Sequence, residues 1–349
     1  MRKITCNKYA DFYLNAAQKL RLGYKVLNKK AVFAKIFDDK KELFVNSNSL
    51  SVNSQVAARL ANNKKRTSLI LIAKKFPVPS FQTFKDKSKA ISYAYNLVRN
   101  GTPIVIKPVS GSLAIGVTVK PNTKAEIIEA VDEAFLGYRE IMVENFVSGE
   151  NYRVTVFQGQ VIAVTWRRPA YVIGTGKDSV KTLISRKNQQ RHKIGLPPIT
   201  LRKKDIHYLT AQKIDLYKTL NKDKCLQLQL GCDLEIGGER VRVDIHKIPQ
   251  KNIDLFVKAT KTLTLEFAGI DFIITDIKTP YSGTECAINE INSAPQLDVH
   301  YLDQNPSSNY AAERILRKYF FGQSDVSDQL IKLPVVMLRE NLATQSEVH

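Results

Sequence analysis

The sequence predicts a mixed α+β protein of two or three lobes, and three observations predict it. The chain has 349 residues, whereas single domains usually run to about 100–200. Hydrophobic residues make up 44% and charged residues 25%, a globular balance. Segments of strand period and helix period are interspersed along the chain, with no internal repeat or low-complexity tract.

Residues 1–62 read as a short N-terminal module. Asp11–Leu20 has the look of a helix, and Ala31–Phe37 and Lys41–Ser47 read as two strands around the turn DDK. Residues 63–141 form a second unit. Helical spacing over 64–75 stops at Pro77 and Pro79, and a helix over 85–99 ends at Asn100-Gly101. TPIVIKPVSGSLAIGVTVKP then reads as strand, glycine-containing loop and strand. A helix capped by Asn122 or Thr123 follows, and then the strand Glu140–Val147. Residues 142–322 form the largest unit, with 323–349 as a tail. Within it, 151–173 reads as two strands across Gln158-Gly159-Gln160, and the lysine-rich stretch 185–224 as helices and loops. Arg240–His246 is a strand, 250–267 a helix, GIDFIITDI and CAINEIN two strands joined by KTPYSGT, and 308–320 a last helix.

The formal net charge of +20 suits an acidic partner such as nucleotide, acidic peptide, nucleic acid or anionic membrane. No zinc-finger spacing or aromatic RNA-binding signature is present, so nucleic-acid binding is disfavoured as the main function. Cys6, Cys225, Cys232 and Cys286 form no C-x-x-C pair and no disulfide framework, which fits a reducing cytoplasm. The basic start lacks the apolar run of a signal peptide. No apolar stretch approaches the ~20 residues of a membrane helix.

Four patterns carry chemistry. Lys107 closes the apolar strand TPIVIKP, where burial of a lysine is costly unless an anion meets it. The loop Ser110–Gly116 after it can turn N–H groups toward phosphate oxygens. A strand end that reaches solvent fits the same local pattern. Asp271 lies on GIDFIITDI, and Glu290 and Asn292 lie two apart on CAINEIN, so the latter pair projects from one face. Two carboxylates and an amide oxygen suit Mg²⁺ held together with substrate phosphates. An alternating strand with a wet outer face reads the same way. VENFVSGENYRV bends at Ser148-Gly149, where backbone groups could meet an adenine edge and Glu144 its amino group. Arg167-Arg168, with Arg153 nearby, suit phosphate or carboxylate through bidentate hydrogen bonds. An ordinary connection and a solvated face are the plain alternatives for these last two.

Taken in order, NKKRTSLILIAKKFPVP, PIVIKPVSGSLAIGVT, IMVENFVSGENYRVTVF, RRPAYVIGTG with KTLI, and AGIDFIITDI…AINEINSAPQLDVH resemble the ATP-grasp superfamily. The likeness is to the ATP-grasp domains of cyanophycin synthetases and bifunctional glutathione synthetases, and it covers about residues 63–320. It implies an ATP-grasp fold, two α+β lobes clamping ATP. It implies phosphate-holding lysines at Lys64 and Lys107, and a covering loop that includes Ser110, Gly111, Ser112 and Gly116. The adenine hinge falls at Glu144, Phe146 and Val147, and Asn151 stands where relatives place an acidic ribose ligand. Asp271, Glu290 and Asn292 match the magnesium ligands, with two ions expected. Arg153, Arg167 and Lys107 match the groups that act on phosphate or substrate carboxylate. The activity implied is an amide- or peptide-forming ligase acting through an acyl phosphate on amino-acid or peptide substrates; the basic charge balance, rather than the resemblance, hints that one substrate is acidic. Relatives often form homodimers or tetramers.

The sequence departs from the family at several points. Leu113, Ala114 and Ile115 make the phosphate loop less glycine-rich, Gln296 replaces a glycine, and GCDLEIGG matches an N-x-S-x-GG element only loosely. No Mur-ligase-like domain follows, so a stand-alone ligase is expected rather than a polymer synthetase. Two rivals remain. A non-catalytic ATP-binding module is favoured by the altered loop and Gln296, and opposed by Asp271, Glu290 and Asn292. A basic nucleic-acid- or protein-binding factor would bind RNA in a salt-sensitive way without ATP. Lys107→Ala is expected to abolish turnover with the fold intact, and Asp271→Asn and Glu290→Gln to raise the magnesium requirement.

Overall fold

The computed structural model describes residues 3–28, 32–111, 115–301 and 310–323. The N-terminal part contains α1 (Lys8–Lys19), β1 (Gly23–Asn28), β2 (Phe33–Phe37), β3 (Glu42–Asn46), β4 (Ser49–Leu50) and α2 (Gln55–Ala61). Next come α3 (Lys64–Ala73), β5 (Phe81–Phe84), α4 (Lys87–Arg99), β6 (Ile104–Pro108), β7 (Thr118–Val119), α5 (Lys124–Phe135) and β8 (Ile141–Asn145). The rest holds β9 (Glu150–Phe157), β10 (Gln160–Arg168), β11 (Tyr171–Ile173), α6 (Val180–Lys193), α7 (Lys203–Ala211), β12 (Cys225–Gln227), β13 (Glu239–Arg242), α8 (Gln250–Thr262), β14 (Phe267–Ile274), β15 (Cys286–Asn292) and α9 (Tyr310–Phe321).

Among the described residues β1-β2-β3-β4 form an antiparallel meander. Helix α1 begins at Asn7, whose side chain accepts from the Tyr9 and Ala10 amides. Its Ala10, Tyr13, Leu14 and Ala17 recur at helical spacing and are all buried. They share a core with α9 and with Phe157 and Phe267 of the main sheet. The N-terminal module is thus packed onto the body of the molecule.

The small lobe is the antiparallel sheet β5-β8-β6-β7. Ile104, Ile106, Ile141 and Val143 pack under α4 and α5 against Ala90, Ala94, Ile127 and Val131. The pleat sends Val105, Lys107 and Glu144 to the opposite face. Thr123 caps α5 in a reciprocal capping box with Glu126.

The large lobe is the sheet β13-β10-β9-β14-β15. One face, with Tyr152, Val154, Ile270 and Phe272, packs on α8 and α3. Phe256 meets Phe272 edge-on at 5.0 Å between ring centroids; each such buried ring stabilises the lobe by about 1.5–3 kcal/mol. The other face is covered at one end by α1 and α9 and carries polar side chains at its other end. A satellite core joins α6, α7 and the pair β11-β12.

Three segment expectations are corrected. The helix expected over 250–267 stops at Thr262, because Leu263, Leu265 and Phe267 are buried at every second position and Thr264 turns with φ 53°. The strand expected over 240–246 ends at Arg242; the Asp244 side chain accepts from the His246 amide and winds Ile245–Lys247 into a 3₁₀ turn. The two strands expected over 151–173 are three, since Pro169 lacks an N–H and separates β10 from β11. The strand from Ala31 begins at Phe33, the last helix is described from Tyr310, and 324–349 lie outside the described residues.

Candidate active site

Lys107 is 4% exposed, so the strand end does not reach solvent. Its ammonium lies 2.6 Å from Glu144 Oε1 on the neighbouring strand β8. It also donates to Asn289 Oδ1 on β15 of the large lobe at 3.1 Å. A buried lysine is tolerable here because two oxygens meet it.

Lys64 opens α3, the helix end where the macrodipole disfavours a cation. Its side chain is held by oxygens instead, donating to Gly111 O at 2.9 Å and pairing with Glu290 Oε1 at 3.2 Å. Lys64, on a helix packed against the large lobe, and Lys107, on the small-lobe sheet, therefore converge on adjacent residues of one large-lobe strand. A small crevice between α3 and β15, lined by Ala61, Lys64, Thr67, Leu71, Ile288 and Glu290, lies beside Lys64.

Ser110 and Gly111 follow β6 at the surface. Gly111 has φ +127°, and a Cβ there would stand 2.7 Å from the Tyr138 hydroxyl, so backbone angle and space both require glycine. Gly116 returns the chain beside the end of α5; Ser112 lies outside the described residues. At the hinge, the Phe146 amide donates to Pro103 O at 2.8 Å, and the Lys120 ammonium sits 3.9 Å from the Phe146 ring centre. Val147 follows, half-buried.

The floor of the site is one row across the main sheet. Thr165, Arg153, Asp271 and Glu290 are successive cross-strand partners on β10, β9, β14 and β15. Gly269 opposes Asn292, so Asp271, Glu290 and Asn292 share a face. The register slips between Asp271 and Phe272, and the extra residue is Asn289, the one Lys107 reaches. Arg153 grips Asp271 with Nε to Oδ1 at 2.7 Å and Nη2 to Oδ2 at 3.2 Å. A Cβ at Gly269 would sit 2.9 Å from Arg153 Nη1 and 2.6 Å from the Pro295 ring. Glycine thus leaves room for the guanidinium. Arg167 approaches Asp271 only to 3.7 Å, and its buried Nε has no hydrogen-bond partner among the described residues. Asn151 lies between Arg167 and Ile273 in the next row.

Burial works to raise the Asp271 pKa, but Arg153 and Arg167 outweigh it and hold the carboxyl below its ordinary value. Asp271 in turn raises Arg167. Among the described residues no group of three His, Cys, Asp or Glu side chains gathers as a metal site. The candidate set is two carboxylates and one amide on a single face. These are hard oxygen donors, a type that fits Mg²⁺ with phosphate oxygens, and an ion bound there would replace the contacts that Lys64 and Arg153 now make to the two acids.

Several residues escaped the sequence reading. His300 is fully buried between Thr155 Oγ1 at 2.7 Å and Thr165 Oγ1 at 2.8 Å, under the Arg153 row. Burial, with Arg153, Arg240 and Arg242 nearby, pushes its pKa well below 6.5 and keeps it neutral. A lone histidine carries no sequence signal of this kind. Asn289 is hidden by the bulge, Tyr138 and Lys120 by distance along the chain, and Arg240 by the unread neighbourhood of β13 and β10.

Residues 70–221 match the family described as "D-ala D-ala ligase C-terminus". Over 265 residues the chain is 33% identical to a cyanophycin synthetase of Synechocystis sp., covering 72% of this chain and 29% of that protein. Over 277 residues it is 27% identical to the glutathione biosynthesis bifunctional protein GshAB of Desulfotalea psychrophila, covering 76% and 35%. The chain thus spans about a third of the length of these curated relatives. A bifunctional glutathione synthetase from Pasteurella multocida superposes with a TM-score of 0.62 at 24% identity, over 90% of this chain and 43% of that one, and shares the fold. Among the described residues no helix is long and apolar enough to cross a membrane. The chain has the fold of the ATP-grasp ligases and, over most of its length, resembles cyanophycin synthetases and bifunctional glutathione-biosynthesis proteins.

Proposed function

We propose that this chain is an ATP-dependent carboxylate–amine ligase that forms an amide or peptide bond through an acyl phosphate and releases ADP and phosphate. The observation that carries the reading is the meeting of Lys64 and Lys107 with Asn289 and Glu290, one strand away from Asp271. Two cations, one on the small-lobe sheet and one on a helix of the large lobe, meet an acid and an amide of β15, a charge pattern suited to a magnesium triphosphate.

In this reading Lys64 and Lys107 hold the phosphates, and the loop Ser110–Gly116 covers them. The hinge from Glu144 to Val147 takes the adenine, with the Glu144 carboxylate shared between Lys107 and the base, and Asn151 lies toward the ribose. Asp271, Glu290 and Asn292 would hold Mg²⁺, two ions by analogy with relatives, and bound there it would supply charge neutralisation for phosphoryl transfer. Arg153 and Arg167 orient the donor carboxylate. One carboxylate oxygen attacks the γ-phosphorus and the bond to ADP breaks. A neutral amine then attacks the acyl carbon, phosphate leaves, and the amine gives up its proton. Exclusion of water by the closed loop protects the acyl phosphate from hydrolysis.

The test is ADP release from Mg-ATP with a panel of amino acids and short peptides as donors and amines. The reading expects ADP only when both a carboxylate and an amine are present. ATP binding with no turnover across the panel would overturn it in favour of a non-catalytic module.

A further inference from the structure

The sheet face that bears Asp271 holds more positive charge than phosphoryl transfer uses. Arg240 and Arg242 lie two apart on β13 and so share a face. Arg240 is the cross-strand partner of Arg167, and Arg242 of Thr165, itself the partner of Arg153. Arg167 and Arg240 are therefore directly opposed, an arrangement that is destabilising for like charges.

The surrounding acids are largely engaged elsewhere. Asp271 is gripped by Arg153 and Glu290 by Lys64. Asp298 pairs with Lys8 at 2.8 Å; Arg240 donates a hydrogen bond to its backbone carbonyl, at 2.7 Å, and feels its carboxylate, already shared with Lys8, from farther off. Glu235 and Asp233 act on the pair from longer range. The Cys232 thiol beside Arg167 is pushed up to about 12 by burial and is neutral. Arg242 stacks on the Tyr310 ring at 4.0 Å. Arg167 Nε, buried and without a hydrogen-bond partner among the described residues, is a donor left over.

Position decides what kind of anion fits. Neighbouring strands lie about 4.8 Å apart, so Arg240 on β13 is roughly 19 Å across the sheet from Glu290 on β15 and roughly 10 Å from Arg153 on β9. A phosphate held by Lys64 and Lys107 is beyond its reach. A second group on a donor whose reacting carboxylate lies at Arg153 is within it.

We propose that Arg167 and Arg240 form a subsite for a second carboxylate on the acyl donor, so that the donor is a dicarboxylate, an acidic amino acid or a short acidic peptide. This rests on the ligase reading above. The experiment compares ADP release with glutamate, aspartate and their γ- and β-linked dipeptides against the matching amides, for wild type, Arg240→Gln and Arg240→Lys. The acids should be preferred. Arg240→Gln should raise their KM roughly ten- to a hundredfold, the cost of one lost charge-assisted hydrogen bond, with a smaller change in kcat, unchanged ATP affinity and a collapse of the acid-over-amide preference. Arg240→Lys should recover part of it. Equal use of acids and amides by wild type, or an unchanged preference in Arg240→Gln, overturns the subsite. If no donor is turned over, the ligase reading fails and the subsite is still decided by thermal shift. Glutarate should then stabilise wild type saturably and Arg240→Gln not at all, whereas glutaramide should do nothing; an equal response to both probes overturns it.

Discussion

Lys107→Met removes the ammonium that lies 2.6 Å from Glu144, with side-chain exposures of only 5% and 6%. Breaking one partner out of a buried ion pair leaves a charge without compensation and costs about 3–5 kcal/mol. Globular proteins gain roughly 2.1 cal/mol/K of unfolding entropy per residue, so for a chain of this length the loss corresponds to a fall in Tm of about 4–7 °C. Lys107 keeps Asn289 Oδ1 at 3.1 Å when Glu144→Gln is made instead, so that variant should lose less. The double variant should recover part of the loss of Lys107→Met, with a coupling energy of at least about 1 kcal/mol in the cycle. Melting curves of the four proteins measure this directly. A fall of this size leaves the fold intact at ordinary assay temperatures, so turnover of the single Lys107 variant is measured well below its transition. A Lys107→Met protein that melts within about 1 °C of wild type would refute the buried pair.

Further outcomes follow from the same row of residues. Gly269→Ala places a methyl group 2.9 Å from Arg153 Nη1 and 2.6 Å from the Pro295 ring and should turn that guanidinium off Asp271; ADP release should fall at least tenfold and the melting temperature should drop with the loss of the buried pair, and an unchanged rate below the transition would separate Arg153 from the chemistry. Asp271 has a folded-state pKa below 3.8, so its pair adds stability at pH values above that figure and loses it as pH falls through the lowered value. Asp271→Asn should abolish that acid limb in a series of melts from neutral to low pH, and it should raise the magnesium needed for turnover. His300 has a folded-state pKa well below 6.5, so its neutral form adds stability above 6.5 that erodes as pH falls below it. The slope should approach about 1.4 kcal/mol per pH unit before carboxylates titrate, and His300→Gln should flatten it; an identical slope in the variant would show that the histidine titrates normally.

The parts of the site that lie on single strands were legible. Alternation in CAINEIN places Glu290 and Asn292 on one face, and the pairing of the two strands brings Asp271 to the same face. The lysine closing TPIVIKP was readable as buried only if an anion met it, and Glu144 and Asn289 do so. What could not be read depends on neighbours far apart in the chain. Nothing local shows that β13 lies beside β10, and so the opposition of Arg240 to Arg167 was invisible. The bulge that frees Asn289 changes the count by one residue without changing the apolar pattern. The end of α8 is hard to read because Leu263 and Phe267, four apart, continue its helical spacing, and only the buried Leu265 between them marks extended chain. The N-terminal meander was seen in part; β1, with its polar and exposed positions, lacks the alternation that marked β2 and β3.

Transfer of a carboxylate oxygen to phosphate is the most direct measure of the proposed chemistry. An acidic donor labelled with heavy oxygen in its carboxylate is incubated with Mg-ATP and an amine, and the released phosphate is analysed by mass spectrometry. Attack of the carboxylate on the γ-phosphorus predicts ADP as the nucleotide product and one labelled oxygen in each phosphate released. Unlabelled phosphate, or AMP with pyrophosphate, would contradict it.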